Sequence, residues 1–237
     1  MKILTFMLLS ALIFITSCRD STKGKARAAD AKARVTTELN AALKEKTIAP
    51  GSAVFIRAFK EERELEMFLK NKKSGNYELF RTYPIAGMSG DLGPKLAEGD
   101  RQVPEGFYAV GPGAMNPNSS YHLAFNIGFP NAYDRANERT GSYIMVHGST
   151  ASIGCLAMTD EKIEEIYTLC EDAFQAGQPF FRIHIFPFRM TKERMTMAAK
   201  DKWLPFWKNL KTGYDLFEKN KVPPNVTVKG KEYAFDE

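Results

Sequence analysis

The chain has 237 residues, of which 44% are hydrophobic and 26% are charged. This composition is that of a globular protein, and it excludes a wholly disordered chain, a collagen-like fibre and a heptad coiled coil. Three Cys and three His are too few for a dense disulfide scaffold or a zinc-finger array. The length fits one large domain, or one domain with appended segments.

The net charge of +5 resides in the N-terminal part of the chain. Lys2 contributes one positive charge, and residues 19–49, with eight Lys or Arg and four Asp or Glu, contribute the other four. Residues 50–237 are therefore neutral overall. Because nucleic-acid-binding domains carry a basic surface, we expect no nucleic acid partner.

The first 18 residues have the features of an export signal. Lys2 precedes an apolar run over residues 3–15, which is too short for a comfortable membrane span. Ile15-Thr16-Ser17-Cys18 resembles a bacterial lipobox, which implies a signal peptide over residues 1–17 and lipidation of Cys18. Acyl chains would then hold the mature protein on a membrane. Arg19 after the Cys favours the outer membrane, facing the periplasm. A plain signal peptide with a coincidental Cys is the alternative.

Residues 18–49 are predicted to form a basic, Ala-rich stalk or linker. Apolar residues recur at helical spacing over residues 35–43, which predicts a weakly amphipathic helix over about residues 26–46. A partly disordered basic tether is the alternative. Ala49-Pro50-Gly51-Ser52 breaks the pattern and marks the start of the domain.

The domain, residues 50–190, is predicted to alternate strands with loops rich in Gly, Pro, Asn and Asp. The predicted strands cover residues 53–59, 64–69, 77–85, 106–110, 121–127, 143–146 and 179–188.

Two helical regions are predicted late in the chain. One apolar face, acidic residues at the start and Gly177 at the end indicate a helix over residues 161–176. Residues 191–237 are predicted to be a helical extension packed on the domain, with interruptions at Pro205 and Gly213. Strands dominate the first two thirds and helices follow, so the predicted fold class is α+β.

One segment carries the reactive residue types. A predicted strand ends at His147, seven small or apolar residues follow, and Cys155 comes directly after Gly154. A nucleophilic Cys needs a nearby base or cation to form its thiolate. A connection of this length can turn back and bring the two side chains together, and its amides could face an oxyanion. Spacing alone leaves open a chance pair.

In such a pair the two groups titrate as one unit, and the thiolate–imidazolium form can persist over several pH units. The sequence fixes neither apparent pKa. His122 and His184 are expected to be hydrogen-bonded structural residues, and Cys170 is expected to lie in the core. A Cys155–Cys170 disulfide is the alternative that an oxidising periplasm permits. No cofactor and no metal site are expected.

The motif His147-Gly148 followed by Ser152-x-Gly154-Cys155 resembles the active-site signature of the L,D-transpeptidase (YkuD) family. The similarity to a YafK-like branch of this family extends over roughly residues 50–237. Further motifs that carry it are Asp91-Leu92-Gly93-Pro94-Lys95, Pro104-Glu105-Gly106-Phe107-Tyr108, residues 126–135 and Phe186-Pro187-Phe188-Arg189-Met190. The resemblance implies a β-rich catalytic domain and a cysteine nucleophile acting on peptidoglycan stem peptides.

Mapped onto this chain, the resemblance implies that Cys155 is the nucleophile and His147 the base. The Gly148 carbonyl would orient the imidazole, and amides near Gly154 and Cys155 would donate to the oxyanion. The thiolate would attack the carbonyl at the L-centre of meso-diaminopimelate and form an acyl-enzyme. The leaving amine would be D-alanine or the lysine of an envelope lipoprotein linked to peptidoglycan.

The resemblance leaves the second half of the reaction open. Resolution by an amine gives transpeptidation, and resolution by water gives amide hydrolysis. The YafK-like branch is associated with release of the major lipoprotein, which favours hydrolysis. A peptidoglycan-binding lipoprotein without catalysis is the remaining alternative.

The sequence departs from the broad family pattern in a short His-to-Cys loop and at two positions. Ile153 replaces the usual His, and Ala157 replaces the Arg or Asn common two residues after the Cys. The closer branch shares these features, so we expect an active site. They leave recognition of the substrate carboxylates open. Ser152, Arg135 and Arg139 are the candidates, and the alternative for each arginine is a solvated surface position.

Overall fold

The computed structural model describes the backbone of residues 3–236 and the side chains of residues 22–236. The expected signal peptide over residues 1–17 and the lipidation site Cys18 lie outside the described side chains. The helices are α1 (Ile3–Glu45), α2 (Ala132–Ala136), α3 (Asp160–Gln175), α4 (Lys192–Met197) and α5 (Leu204–Asn220). Among the described residues, none of the helices is both long and apolar enough to span a membrane.

Eleven strands form three sheets within the described residues. The strands are β1 (Val54–Phe59), β2 (Glu64–Lys70), β3 (Tyr77–Pro84), β4 (Gly106–Val110), β5 (Met115–Asn116), β6 (Ala124–Asn126), β7 (Met145–His147), β8 (Leu156–Ala157), β9 (Phe181–Phe186), β10 (Asn225–Lys229) and β11 (Glu232–Asp236). The three sheets, together with the helices, confirm the α+β class.

The five-stranded sheet has the order β3-β2-β1-β9-β4, with β1 and β9 parallel and the other neighbours antiparallel. Side chains alternate between its two faces. Ile56 and Ile183, paired across β1 and β9, enter the larger core, which α3 and the second sheet also line. Phe59 and Phe186 belong to the other face, where α5 and the C-terminal hairpin cover a second cluster.

The four-stranded sheet has the order β5-β6-β7-β8 and carries the reactive segment. Strand β6 is shorter than the predicted strand over residues 121–127, because His122 has a φ of 66° and the chain turns there. The extended residues begin only at Ala124, where β6 pairs with His147 of β7. The turn places Tyr121 beside β7, which matters for the site described below.

Helix α1 lies along α3. Ion pairs join Lys32 to Asp172 and Arg34 to Glu164 across the two helices. The buried apolar residues of this N-terminal segment are Ala28, Ala31, Leu39, Leu43 and Ile48, and Gly24 is buried as well. The helix predicted over residues 26–46 is present, but from residue 24 the expected stalk is part of the packed structure, because its apolar face packs on the domain.

The C-terminal region differs from the predicted helical extension in two ways. Helix α5 runs through Gly213 without a break. A Cβ at this position would lie 2.4 Å from the Phe235 ring and 2.6 Å from the Phe107 ring, so the glycine permits close packing. The chain then ends in the antiparallel hairpin β10–β11 instead of further helix.

Candidate active site

Strands β7 and β8 bring the predicted base and nucleophile to one face. The parallel register pairs Val146 with Leu156 and His147 with Ala157, so Cys155 precedes β8 directly opposite Met145. Residues two apart along a strand point to the same face, which puts Cys155 and His147 on one side of the sheet.

A tight turn delivers Cys155 to β8. The Ser152 hydroxyl donates to the Cys155 carbonyl at 2.6 Å and accepts from the Cys155 amide at 3.0 Å. Gly154 has a φ of 101°, in the left-handed region that favours glycine. Ser152, proposed from sequence to bind substrate, therefore has its hydroxyl engaged in shaping the turn.

The same turn determines which backbone amides are free to donate a hydrogen bond to an oxyanion. The Cys155 amide donates to Ser152, so the expectation that it faces the substrate does not hold in this conformation. The Gly154 amide, next to Cys155 in the chain, has no acceptor among the described residues, and neither do the amides of residues 150–153. The turn therefore leaves the Gly154 amide available to an oxyanion.

The imidazole of His147 is held in one tautomer. Its Nδ1 lies 2.6 Å from the Gly148 carbonyl oxygen. Because a carbonyl only accepts, Nδ1 carries the proton and the neutral ring has its lone pair on Nε2. This contact agrees with the role expected for Gly148. The Tyr121 ring covers the imidazole, with the two ring centroids 4.8 Å apart.

The Cys155 thiol is half-buried and free, and Cys170 is free and buried in the core. The alternative of a Cys155–Cys170 disulfide is therefore absent from this structure. The thiol accepts from the Met145 amide at 3.4 Å and donates to the Tyr143 carbonyl at 3.7 Å. Both hydrogen bonds of the thiol thus go to the backbone of β7 and of the loop before it, and neither goes to His147.

Burial sets the charge states of this pair. It lowers the pKa of His147, against the opposing contact with the Gly148 carbonyl. Burial likewise raises the pKa of Cys155, although the Met145 amide and the charge of Lys95 act in the other direction. Both shifts favour a neutral thiol and a neutral imidazole. They oppose the thiolate–imidazolium form considered from sequence, because both of its charges would have to be partly desolvated.

A neutral pair can still perform nucleophilic chemistry. As the sulfur approaches a carbonyl carbon, Nε2 of His147 can accept the thiol proton, so that charge forms only during attack. The Gly154 amide can donate to the oxygen as negative charge develops on it. The described residues contain no cluster of three His, Cys, Asp or Glu side chains that could hold a metal ion.

Lys95 is the cation whose charge acts to lower the pKa of Cys155, and residue type and spacing around His147 and Cys155 do not predict it. Its buried ammonium donates to Asp100 at 2.6 Å and to the Ala97 carbonyl at 2.9 Å. Lys95 belongs to one of the motifs that carry the family resemblance. The long loop between β3 and β4 that holds it also packs on Gly154, a contact that strand and helix patterns do not show.

The two arginines proposed to bind substrate have other partners. Arg139 is buried, forms an ion pair with Asp134 at 3.0 Å, and stacks over Tyr133. Arg135 is exposed and lines a cavity of about 660 Å³, whose lining contains neither Cys155 nor His147. The structure therefore does not bring either arginine to the thiol.

A second cleft, of about 620 Å³, lies beside the thiol. Tyr143 and Met145, whose backbone contacts the sulfur, form part of its lining, together with Asn116 and Asn126. Asn126 and Met145 are paired across β6 and β7, so they share the sheet face of Cys155. This cleft is the candidate path for an extended substrate.

The other two histidines have structural surroundings. Nε2 of His122 lies 2.7 Å from a Glu164 carboxylate oxygen, which confirms the expected hydrogen bond. For His184 the expectation is wrong, because neither ring nitrogen has a hydrogen-bond partner among the described residues. Its ring packs between Phe55 and Phe107, with centroids 4.7 Å from each, and burial lowers its pKa well below the ordinary value.

Two crystal structures of the helical cell shape determining protein Pgp2 from Campylobacter jejuni overlap with this fold, each at a TM-score of 0.46. For a point mutant the identity is 20%, covering 72% of this chain and 58% of that chain. For the other structure the identity is 18%, covering 81% and 80%. We transfer no role from these partial overlaps.

Sequence relatives are much closer. YafK of Escherichia coli (strain K12), whose name assigns it provisionally to the L,D-transpeptidases, is 46% identical over 184 residues, which cover 78% of this chain and 74% of that protein. YafK of Escherichia coli O157:H7 gives the same values. The YkuD family, described as the L,D-transpeptidase catalytic domain, matches residues 53–192. With His147, Gly148 and Cys155 inside that range, the chain belongs to the L,D-transpeptidase family.

Proposed function

We propose that this protein is a cysteine acyl-transfer enzyme that hydrolyses an amide bond at meso-diaminopimelate in peptidoglycan stem peptides. The observation that carries the proposal is the placement of Cys155 and His147 on one face of β7–β8, with Nδ1 of the imidazole bound to Gly148. This arrangement supplies a nucleophile, an oriented base and an adjacent cleft. The family acts on stem peptides.

The proposed reaction has two halves. The Cys155 sulfur bonds to the carbonyl carbon while Nε2 of His147 takes the thiol proton. The carbon–nitrogen bond then breaks, and the imidazolium returns its proton to the leaving amine. In the second half His147 takes a proton from water, the oxygen bonds to the same carbon, the carbon–sulfur bond breaks, and the imidazolium returns the proton to the sulfur. The products are a free carboxylic acid and the original thiol.

We propose the lysine of an envelope lipoprotein as the leaving amine, which makes the protein an amidase that detaches lipoprotein from peptidoglycan. The resemblance to the YafK-like branch supports this choice. The exposure of residues near the thiol supports hydrolysis. Tyr143 and Ile153 are 78% and 72% exposed, so water can reach an acyl-enzyme. A second candidate is transpeptidation, which the name given to YafK supports.

We further propose that the protein works in the periplasm, lipid-anchored to the outer membrane through Cys18. The lipobox-like Ile15-Thr16-Ser17-Cys18 supports an anchor, and Arg19 supports the outer membrane. Such a location would place the enzyme next to peptidoglycan and its linked lipoproteins.

Lipoprotein-linked sacculi test the proposal directly. Purified wild-type protein is incubated with them in heavy-oxygen water, and the products are analysed by mass spectrometry. We expect free lipoprotein and one heavy oxygen in the new diaminopimelate carboxyl group. Cys155→Ala is the matched control and should release nothing. Amine adducts without heavy oxygen would establish transpeptidation, and equal release by Cys155→Ala would refute cysteine catalysis.

A further inference from the structure

Helix α1 contacts the loop between β5 and β6 at Gly24, which lies against Asn118, and through the side chain of Arg27. Nη1 of Arg27 donates to the carbonyl oxygens of Pro117, Ser119 and His122, at 3.3, 2.8 and 2.8 Å. These are charge-assisted bonds, which are stronger than those between neutral groups. Three carbonyls converge on one guanidinium nitrogen, so the shape of the loop depends on this side chain.

A second route joins α1 to the same loop. Arg34 forms two hydrogen bonds to the Glu164 carboxylate of α3. One oxygen of that carboxylate lies 2.7 Å from Nε2 of His122. The side chains of His122 and Glu164 are only 18% and 10% exposed, so water screens their interaction weakly. His122 is thus held through its carbonyl by Arg27 and through its ring by Glu164.

The opposite side of the loop lies on the candidate base. The Tyr121 ring covers the His147 ring at 4.8 Å between centroids. The Leu123 carbonyl accepts from the Gly148 amide at 3.0 Å. The loop is therefore packed between α1 and the His147–Gly148 pair, and it supplies part of the burial that keeps the imidazole neutral.

We propose that Arg27 is a positioning residue for His147, acting through the loop formed by residues 117–122. The part of α1 that follows Cys18 then helps to hold the base in position, in addition to linking the domain to the membrane. The inference rests on the proposed function for its activity readout alone, since the state of His147 can be measured without a substrate.

The test compares variants of the full chain. Arg27→Gln removes the three contacts, Arg27→Lys keeps the charge, and Tyr121→Leu uncovers the imidazole without changing a charge on α1. Lys32→Ala is the matched control, because it removes an ion pair between α1 and α3 at Asp172 that does not touch the loop. Folding is checked by circular dichroism and thermal unfolding for every variant.

The readouts are the His147 titration followed by NMR and the kcat of amide hydrolysis. In Arg27→Gln and Tyr121→Leu we expect the His147 pKa to move up towards its ordinary value, because the ring becomes less buried. We expect kcat to fall on the order of tenfold, since small displacements of a catalytic group have effects of that size or larger. Arg27→Lys should restore part of the wild-type His147 pKa and part of the wild-type kcat, and Lys32→Ala should change neither quantity.

A purely structural role for Arg27 gives a different pattern. Arg27→Gln and Lys32→Ala would then lower the unfolding temperature alike, with the His147 titration and kcat as in wild type, and the inference would be overturned. If Arg27→Gln does not fold, an unshifted His147 titration in Tyr121→Leu overturns it equally. If wild type hydrolyses no amide but the His147 shifts appear, the proposed function fails and the positioning role stands.

Discussion

Burial decides the protonation of the two reactive side chains. The pKa of His147 is lowered and that of Cys155 is raised, so at neutral pH the base is ready to accept a proton and the thiolate fraction is small. We expect activity to be lost as the pH falls through the lowered His147 pKa, because the imidazole is then protonated. The proposed mechanism therefore relies on proton transfer during attack and needs no pre-formed ion pair.

This protonation state predicts how Cys155 reacts with iodoacetamide. The alkylation rate should keep rising with pH beyond the range of an ordinary thiol, with no plateau near neutrality, because only the thiolate reacts. His147→Ala should leave that profile nearly unchanged. A plateau at neutral pH that His147→Ala abolishes would show a thiolate–imidazolium pair instead. Cys170 should not interfere, since it is fully buried, and Cys170→Ala provides the control.

The sequence predicts some residues of the site better than others. His147, Gly148 and Cys155 lie in one short motif, and the two strands that carry them are adjacent. Arg135, Arg139 and Ser152 were chosen for their residue type, yet their partners are set by α2 and by the Ser152–Cys155 turn. The charge of Lys95 acts on the thiol from a loop that is distant in sequence, so no local pattern predicts this effect.

A buried ion pair links several elements at the level of secondary structure. The fully buried Glu105 carboxylate accepts from Lys60 Nζ at 2.9 Å, from the Gly93 amide at 2.6 Å and from Trp207 Nε1 at 2.8 Å. It therefore connects the end of β1, the loop after β3, the start of β4 and helix α5. Burial lowers the pKa of Lys60, and the charge of Glu105 and its hydrogen bond act against that shift.

Glu105→Ala should strongly destabilise the fold. It leaves the Lys60 ammonium buried and without its counter-charge, a change that costs about 3–5 kcal/mol. Urea unfolding measures the loss. Asp215→Ala is the control, because it removes the exposed pair with Lys211 on α5 and should change stability by less than about 1 kcal/mol. A similar small effect from both variants would contradict the account of this network.

Gly213→Ala tests the close packing of α5 on the hairpin. In a free helix the change to Ala is favourable by about 1 kcal/mol. Here the new methyl group meets the rings of Phe107 and Phe235, and overpacking costs about 1–3 kcal/mol. We expect a lower unfolding temperature, measured by calorimetry, with exposed Thr212→Ala as the control. A rise in stability would mean that the helix and hairpin separate easily.

The sequence predicts some of the strands and helices correctly and others not. Strands β1 to β4 and helix α3 follow from alternating or helical apolar patterns. The β10–β11 hairpin was missed although Val226 and Val228 alternate before Gly230, a pattern typical of a hairpin. Helix α5 was predicted to break at Gly213, because sequence spacing cannot show that two aromatic rings occupy the space of a side chain.

For the whole molecule, the N-terminal segment joins a proposed membrane anchor to the catalytic domain. From residue 24 it packs on the domain, so an enzyme held by Cys18 would keep its active site at a limited distance from the membrane. A short reach suits a substrate that is itself linked to both membrane and peptidoglycan. The proposed location and the proposed substrate are thus consistent with one another.

Lipidation of Cys18 is predicted from the lipobox-like sequence. Cells expressing the protein and fed a clickable fatty acid should yield a labelled mature protein that begins at Cys18. Cys18→Ala should lose the label, whereas Cys155→Ala should keep it. A mature protein that is unlabelled, or that begins at another residue, would show that the lipobox resemblance is misleading.

The central claim is that Cys155 forms an acyl-enzyme with the aid of His147. The most direct measurement is the intact mass of the protein after rapid acid quenching during reaction with a diaminopimelate-containing stem peptide. We predict a thioester adduct that maps to Cys155, decays in wild type as product forms, and is absent from Cys155→Ala. His147→Ala and the double variant should be about as inactive as Cys155→Ala, because the two groups act as one unit. Product formation by Cys155→Ala, or an adduct on another residue, would contradict the account.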